Sequence, residues 1–468
     1  MKKALVLTIA LIILSISGMA FAFADINAAR DQVVLTKNVK YGDDSAAEKL
    51  EVQVRTHYDY HLFWDTVYQT DKESVQTNYL FSHTQVYENP PMEYSGVDMQ
   101  TYYEPGIKAA YKELFDRTPA GTEGSTTIRL KDYYDFYPML FTLDIPGVTL
   151  NWSSDFYIDP VPEPETESYF ILEFLNFFRV PVIDDETIHI SVTKTADGDI
   201  GGYGSGNTES DTFYIRTWST FTDNACYFTF DTHTKYGNVV DTSFIPGGYG
   251  IYSFSYKEDG IMKDAMNPSG VLFSELSMVY SLDPKNKVLD LFTNPSQTKL
   301  LLLTAENKVC VLTVIDVETM KPLQRLELAA LGEDESVWNV YYYDDFLTIL
   351  LPENQLIAVE VNEDGEYVHR FTVNLYDEEN KLFLPSYIAA MDWNGEKLVL
   401  SDFLYNSYDW DNRDYPKYCG FYLAVYDETG LLFYGEYLSS LDAGNNLNSN
   451  INSCRRMDHS PLAVRWMD

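Results

Sequence analysis

Apolar strands joined by short polar turns recur along the second half of the chain. Residues 299–304 (KLLLLT) and 309–316 (VCVLTVID) are apolar runs joined by Ala-Glu-Asn-Lys, which predicts a β-hairpin. The same pattern returns 47 residues later, where 346–351 and 356–361 are joined by Pro-Glu-Asn-Gln. The repetition indicates one structural unit used several times.

A third copy begins at Lys397 (KLVLSD) and resumes at Tyr422. Each copy then passes an acidic or glycine turn into one more strand, for example residues 323–328 or 431–437. A four-strand unit at this spacing is typical of a propeller blade. Both alternating faces of Val309–Ile315 are apolar, which favours a strand covered on both sides by neighbouring sheets.

The segments VIDVETMKPL (314–323) and AVYDETGLL (424–432) resemble strand-turn-strand units of quinoprotein-like or YVTN-like β-propellers. The resemblance covers about the last 170 residues and implies a propeller fold there. The tryptophan that marks many quinoprotein repeats is missing, so the resemblance implies no cofactor.

The first half repeats more loosely. Val54-Arg55, Ile128-Arg129 and Ile215-Arg216 each lead into an aromatic-rich strand. These units are blades with long insertions or strands of a separate β-sandwich. Residues 106–117 are the one segment with clear helical periodicity. The predicted fold class is therefore all-β, with a β-propeller-like repeat array.

The N-terminus has the form of a secretory signal peptide. Lys2 and Lys3 precede an apolar run, and small residues lead to Ala22-Phe23-Ala24 before Asp25. Cleavage is predicted after Ala24 or Ala22, and the alternative is an uncleaved membrane anchor over residues 4–24. Either alternative places the rest of the chain outside the cytoplasm.

Four regions are predicted along the chain. A signal peptide or anchor (1–24) is followed by a linker (25–47), an N-terminal β-rich region (48–260) and a C-terminal propeller-like region (261–468). The composition is globular, with 45% hydrophobic and 22% charged residues. The net charge of −38 disfavours nucleic acid and anionic membranes as partners.

Four cysteines in 468 residues are too few for a disulfide-stapled scaffold. Cys226, Cys310 and Cys419 fall in apolar strands, where a thiol packs as a small apolar group. Cys419 and Cys454 are the pair to test first for a disulfide, although the sequence leaves all three pairings open.

Two clusters of possible metal ligands lie in the first half. His57, Asp59 and His61 would share one face of a strand. The matching residues 133–137 keep only the aspartate, which favours a turn over a metal site. Asp197 and Asp199, separated by Gly198, form a second pattern with the spacing of calcium ligands.

The insertion at residues 403–417 is the main site prediction, because sister hairpins have only a four-residue turn there. Its carboxylates are candidate ligands of a possible Ca²⁺ ion, and its aromatic rings are candidate platforms for a sugar. The predicted metal ligands are Asp409, Asp411 and Asp414, and the predicted ligand-binding residues are Tyr405, Tyr408, Trp410 and Tyr415.

The sequence contains no GxSxG, HExxH or P-loop motif. The predicted function is a non-enzymatic binding or scaffold protein outside the cytoplasm, with a glycan or an extracellular protein as partner. One alternative is a secreted carbohydrate-active enzyme, which predicts two acids in a cleft, one with a raised pKa. Another is a sensor domain tethered by residues 4–24.

Overall fold

The computed structural model confirms the all-β, propeller-like class. It describes residues 2–30, 34–58, 62–72, 74–81, 96–101, 106–137, 139–145, 148–149, 180–207, 216–231, 233, 239, 242, 245, 247–256, 271–333, 335–343, 345–377, 382–383, 388–404, 420–439 and 462–467.

The first part of the chain contains ten strands and the two α-helices found among the described residues. In chain order they are α1 (Lys2–Arg30), β1 (Leu35–Gly42), β2 (Leu50–Tyr58), β3 (Leu62–Gln69), β4 (Ser74–Phe81), β5 (Gly96–Thr101), α2 (Lys108–Arg117), β6 (Glu123–Arg129), β7 (Met139–Ile145), β8 (Val148–Thr149), β9 (Thr187–Lys194) and β10 (Ile200–Asn207).

Strands alone follow in the rest of the chain. They are β11 (Thr217–Phe221), β12 (Ala225–Phe230), β13 (Gly250–Tyr256), β14 (Val271–Ser281), β15 (Lys287–Thr293), β16 (Lys299–Glu306), β17 (Val309–Asp316), β18 (Pro322–Ala330), β19 (Asn339–Tyr343), β20 (Phe346–Leu351), β21 (Gln355–Val361), β22 (Tyr367–Asn374), β23 (Tyr376–Asp377), β24 (Leu382–Phe383), β25 (Ala390–Trp393), β26 (Leu398–Phe403), β27 (Gly420–Asp427), β28 (Gly430–Ser439) and β29 (Leu462–Trp466).

Most of these strands form antiparallel sheets of four in sequence order, the arrangement of a propeller blade. Three sheets follow this order, namely β11 to β14, β15 to β18 and β19 to β22. Strands β25 to β28 form a fourth such sheet, and β1 extends it as a fifth strand beside β28. The predicted hairpins are confirmed, and Asn307 and Asn354 both adopt positive φ in their turns.

The chain divides into two compact units, the first formed by residues 1–92 and 338–468 and the second by residues 93–337. In the first unit the sheet of β25 to β28 is buried on both faces. Val399 and Leu423 face one apolar cluster, whereas Leu400 and Ala424 face another. Burial on both faces explains why these strands are continuous apolar runs.

One sheet of the first unit joins the two ends of the chain. Strand β29 pairs with β2, and β3 and β4 complete the four strands. The carboxylate of Asp392 on β25 accepts the backbone N–H of Trp466 on β29 at 2.6 Å, which ties this sheet to its neighbour. Residues about 400 positions apart in sequence therefore complete one blade.

The described residues of the second unit include one large apolar cluster. Helix α2, which confirms the predicted helix, contributes Ile107 at its start and Leu114. Strands β9, β12 and β16 contribute Ile190, Phe228 and Leu302. This core supports the sheets that carry the candidate site described next.

Candidate functional site

The predicted binding insertion lies outside the described residues. This applies to Tyr405, Tyr408, Trp410 and Tyr415, and equally to Asp409, Asp411 and Asp414. The flanking strands β26 and β27 are paired up to Phe403 and Phe421, so the insertion connects the end of one hairpin. The binding and calcium roles of these seven residues stay predictions, and so does a metal role for Asp59 and His61, which also lie outside the described residues.

The aspartates at 197 and 199 belong to the turn between β9 and β10. Thr195 donates its N–H to the Asp199 carbonyl at 2.8 Å, and Gly198 donates to the Thr195 carbonyl at 3.0 Å. Gly198 has a φ of 92°, which glycine adopts without steric cost. A hairpin turn explains this acidic pattern, and the described residues contain no cluster of three metal-ligating side chains.

The first strands of two adjacent sheets in the second unit, β11 and β15, run side by side in the same direction. The hydroxyls of Thr220 and Thr293 are 3.3 Å apart. Further along, Asp223 donates its N–H to the side-chain oxygen of Gln297 at 2.7 Å. The neighbouring positions Arg216 and Asp290 therefore lie near the starts of these two strands.

Arg216 precedes β11, and its side chain is exposed. The guanidinium carbon lies 5.6 Å from the centre of the Trp218 ring, a cation–π contact between residues on one face of the strand. Arg216 forms no ion pair within the described part of the chain. The other arginines with described side chains all pair with a carboxylate, namely Arg55, Arg117, Arg129, Arg325, Arg370 and Arg465.

Asp290 on β15 is half-buried, and the charge of Arg216 acts on its carboxyl. A β-bulge between Val288 and Asp290 interrupts the regular pairing with β16, and bulges commonly redirect a side chain. Burial raises the pKa of Asp290 to about 6, although the Leu291 N–H bond and the charge of Arg216 act in the opposite direction. A carboxyl with this pKa changes its charge near neutral pH.

A buried aspartate–histidine pair lies beside Arg216 on the neighbouring strand. Asp231 follows β12 and donates its N–H to the Arg216 carbonyl at 2.8 Å, which places the two residues opposite each other. The Asp231 carboxylate is 2.7 Å from Nδ1 of His233. Because Nδ1 is engaged, Nε2 is the ring nitrogen available to a ligand or a proton.

We call these five residues the Arg216 site. They are Arg216, Trp218, Asp231, His233 and Asp290. The site combines a guanidinium held on an indole, a carboxyl with a raised pKa and an imidazole oriented by a carboxylate. Such groups bind polar and anionic ligands and transfer protons. Sequence reasoning missed this site because no local motif links β11 to a residue 74 positions away.

The described cysteines, Cys226 and Cys310, are both buried and free. Burial raises the pKa of the Cys310 thiol to about 12 and that of Cys226 well above its ordinary value. Neither thiol has the thiolate character of a nucleophile at neutral pH. Cys419 and Cys454 lie outside the described residues, so their disulfide stays a prediction.

No protein-family model matches the chain, and no curated protein matches it. Solved structures similar to it include the periplasmic gluconolactonase PpgL of Pseudomonas aeruginosa, with 9% identity, a TM-score of 0.24, and 82% of this chain and 81% of that chain covered. Another is the Cps50 (Swd1) β-propeller domain of Myceliophteria thermophila, with 8% identity, a TM-score of 0.24, and coverage of 55% and 93%. Similarity this low carries no argument about function.

Proposed function

We propose that this protein binds a glycan outside the cytoplasm, and that the Arg216 site holds the ligand. The observation that carries the proposal is the state of Arg216. Among the arginines with described side chains, it is the one without an ion pair to a described residue, and its guanidinium lies over an aromatic ring. A guanidinium that is already oriented loses less conformational entropy on binding a ligand.

The other groups of the site suit the hydroxyl-rich surface of a sugar. Asp290 and Nε2 of His233 offer acceptors, because Nδ1 of His233 is engaged with Asp231, and Arg216 offers donors. A protein partner fits this site less well, since stable protein interfaces need about 800 Å² on each side with central aromatic anchors. The large apolar side chains exposed on the described strands, such as Leu80, Leu323 and Ile200, belong to separate strands.

The location rests on helix α1. Its segment Leu7–Ala24 is long and apolar enough to span a membrane, and none of this segment is buried by the described residues. A signal peptide and a membrane anchor both fit this observation, and both export the rest of the chain.

N-terminal sequencing and intact mass of the protein recovered from its host distinguish these two forms. We expect a mature chain that starts at Asp25 or Phe23, released by cleavage after a small residue. A start at Met1 would show that residues 4–24 stay as a tether. Recovery of the chain in the cytoplasm with Met1 intact would contradict an extracytoplasmic role.

A second candidate is a carbohydrate-active enzyme that uses paired carboxylates. The observation that favours it is the pKa of Asp290, since a value of about 6 suits a general acid near neutral pH. Asp290 would donate the proton, and Asp231 would be the second carboxylate. In that case Asp290→Asn abolishes turnover of an oligosaccharide that the variant still binds, whereas a binding protein shows no turnover in either form.

Arg216→Gln is expected to weaken binding of the best glycan in a mixed panel about tenfold, because one charge-assisted contact is lost. The fold should be unaffected, since Arg216 is exposed and makes no ion pair within the described residues. Arg370→Gln is the matched control, because it removes an exposed, ion-paired arginine from β22. Equal affinities for wild type and Arg216→Gln would overturn the proposal.

A further inference from the structure

We propose that the group held by Arg216 is a carboxylate of a uronic-acid residue, and that Asp290 makes binding of this acidic glycan tighten as the pH falls. This inference rests on the proposed function, because it concerns the ligand of the same site. Two observations carry it, namely the guanidinium of Arg216, which lies over Trp218 without an ion pair among the described residues, and the position of Asp290.

The net charge of the chain opposes anion binding, so an anionic ligand needs a local positive charge such as Arg216, which has no ion pair among the described residues. A net charge of −38 repels anions over the surface as a whole, and the neighbouring carboxylates neutralise the other described arginines. Arg216 therefore offers a positive charge that no carboxylate of the described residues neutralises in an ion pair. The planar guanidinium fork matches the two oxygens of a carboxylate, and Trp218 restricts its orientation.

Asp290 competes with a bound carboxylate for Arg216. When Asp290 is ionised, it attracts the guanidinium and repels the anionic ligand. When it is protonated, the repulsion disappears and its O–H can donate a hydrogen bond to the ligand. Protonation of Asp290 and binding of a carboxylate therefore favour each other.

The groups around Asp290 determine whether the pH dependence of binding reflects Asp290 alone. Across the ladder it is paired with Leu303, and the charge of Arg216, which precedes β11, acts on its carboxyl. The threonines at positions 220 and 293, further along the two strands, are neutral. Asp231 and His233, which lie 2.7 Å apart, are the other ionisable groups of the site. Asp290→Asn isolates the contribution of Asp290, because it leaves Asp231 and His233 unchanged.

The expected change of binding affinity with pH follows from the pKa of Asp290, which is about 6. Roughly nine-tenths of the molecules carry a protonated Asp290 at pH about 5, and roughly one-tenth at pH about 7. If only the protonated form binds well, affinity rises roughly tenfold over this range. A uronate stays ionised throughout, so its own charge does not change.

The test is calorimetric titration of the purified protein with an oligogalacturonate and with its methyl ester, which has the same sugars without the charge. At pH about 5 we expect the acid form to bind about tenfold more tightly than the ester. The preference should vanish in Arg216→Gln. In Asp290→Asn the preference should persist, and the rise in affinity between pH about 7 and pH about 5 should fall below twofold.

The outcomes separate the inference from the proposed function. Equal binding of acid and ester, with both weakened by Arg216→Gln, would overturn the assignment of a carboxylate as the bound group. It would leave glycan binding at this site intact. Tighter binding of a sulfated galactan than of the uronate would also overturn the carboxylate assignment. Affinity that rises with pH, or a pH dependence unchanged in Asp290→Asn, would overturn the role of Asp290. Binding of glycans that Arg216→Gln does not affect would overturn both proposals.

Discussion

Removal of residues 462–468 is expected to unfold the sheet that joins the two ends of the chain. Without β29, the strand β2 loses its five-residue pairing from Leu50 to Val54. Leu462 and Val464, which are 1% and 3% exposed, no longer cover the core of the first unit. The lost burial and hydrogen bonds correspond to on the order of 5 kcal/mol, a large part of the stability of an ordinary domain.

Chemical denaturation and limited proteolysis measure this effect. A double substitution provides the sharper comparison, because β29 alternates buried and exposed residues. Leu462→Ser with Val464→Ser should destabilise by about 4 kcal/mol, through lost apolar burial and buried hydroxyls. Ala463→Ser with Arg465→Lys, on the exposed face, should cost less than about 1 kcal/mol, because the lysine keeps a positive charge beside Glu51. Equal effects of the two pairs would contradict the register of β29 against β2.

Asp290→Asn is expected to raise the free energy of unfolding by about 1 to 2 kcal/mol at pH about 8. The wild-type carboxyl has a pKa of about 6 in the folded chain and about 3.9 when unfolded. At pH about 8 both states are ionised, and the folded state carries the cost of a desolvated charge. Full conversion of the shift gives about 3 kcal/mol, and partial exposure of Asp290 reduces it.

The difference in stability between the asparagine variant and the wild type depends on pH. As the pH falls through 6, the folded wild type binds a proton that the unfolded chain does not yet bind, so the wild type gains stability. The advantage of the asparagine variant should therefore shrink between pH about 7 and pH about 4. Urea denaturation of both forms across this range measures it, and a difference that does not vary with pH would contradict the burial of Asp290.

Asp316→Asn is the matched control, and it is expected to lower the free energy of unfolding, whereas Asp290→Asn raises it. Hydrogen bonds from Thr319 lower the pKa of the Asp316 carboxyl, which closes the turn after β17. A carboxyl with a lowered pKa stabilises the fold above its unfolded pKa, and this stability is lost as the pH falls. The asparagine variant should therefore be less stable than the wild type at neutral pH, with a difference that shrinks in acid.

The local pattern of the chain predicts the hairpins of the second half closely. The runs at 299–304 and 309–316 lie in β16 and β17, whose central six residues are all buried. Continuous apolar runs with short turns specify such strands without long-range information. The turn asparagines were predictable as well, since asparagine tolerates the positive φ that these turns require.

The pairing of distant strands could not be predicted in the same way. Nothing local in residues 462–466 shows that they pair with β2, and nothing in residues 35–42 shows that they extend the sheet of β28. Both pairings depend on which sheet edges remain open after the rest of the chain has folded.

The candidate site was beyond sequence reasoning for a related reason. Arg216 was visible as part of an Ile-Arg pair ahead of an aromatic strand, but arginines in this pattern at 55 and 129 form ordinary ion pairs. Only the folded second unit shows that Arg216 lacks such a partner among the described residues, and that a bulge places Asp290 near it. A local motif search favours clusters such as the 403–417 insertion, whose residues are adjacent in sequence.

The most direct test of the central claim is a crystal structure of the protein with an oligogalacturonate at pH about 5. We expect ligand density at the Arg216 site, with a uronate carboxylate against the guanidinium and a second contact to Asp290. Density only at the insertion that contains Tyr405, Trp410 and Tyr415, with the Arg216 site empty, would contradict it.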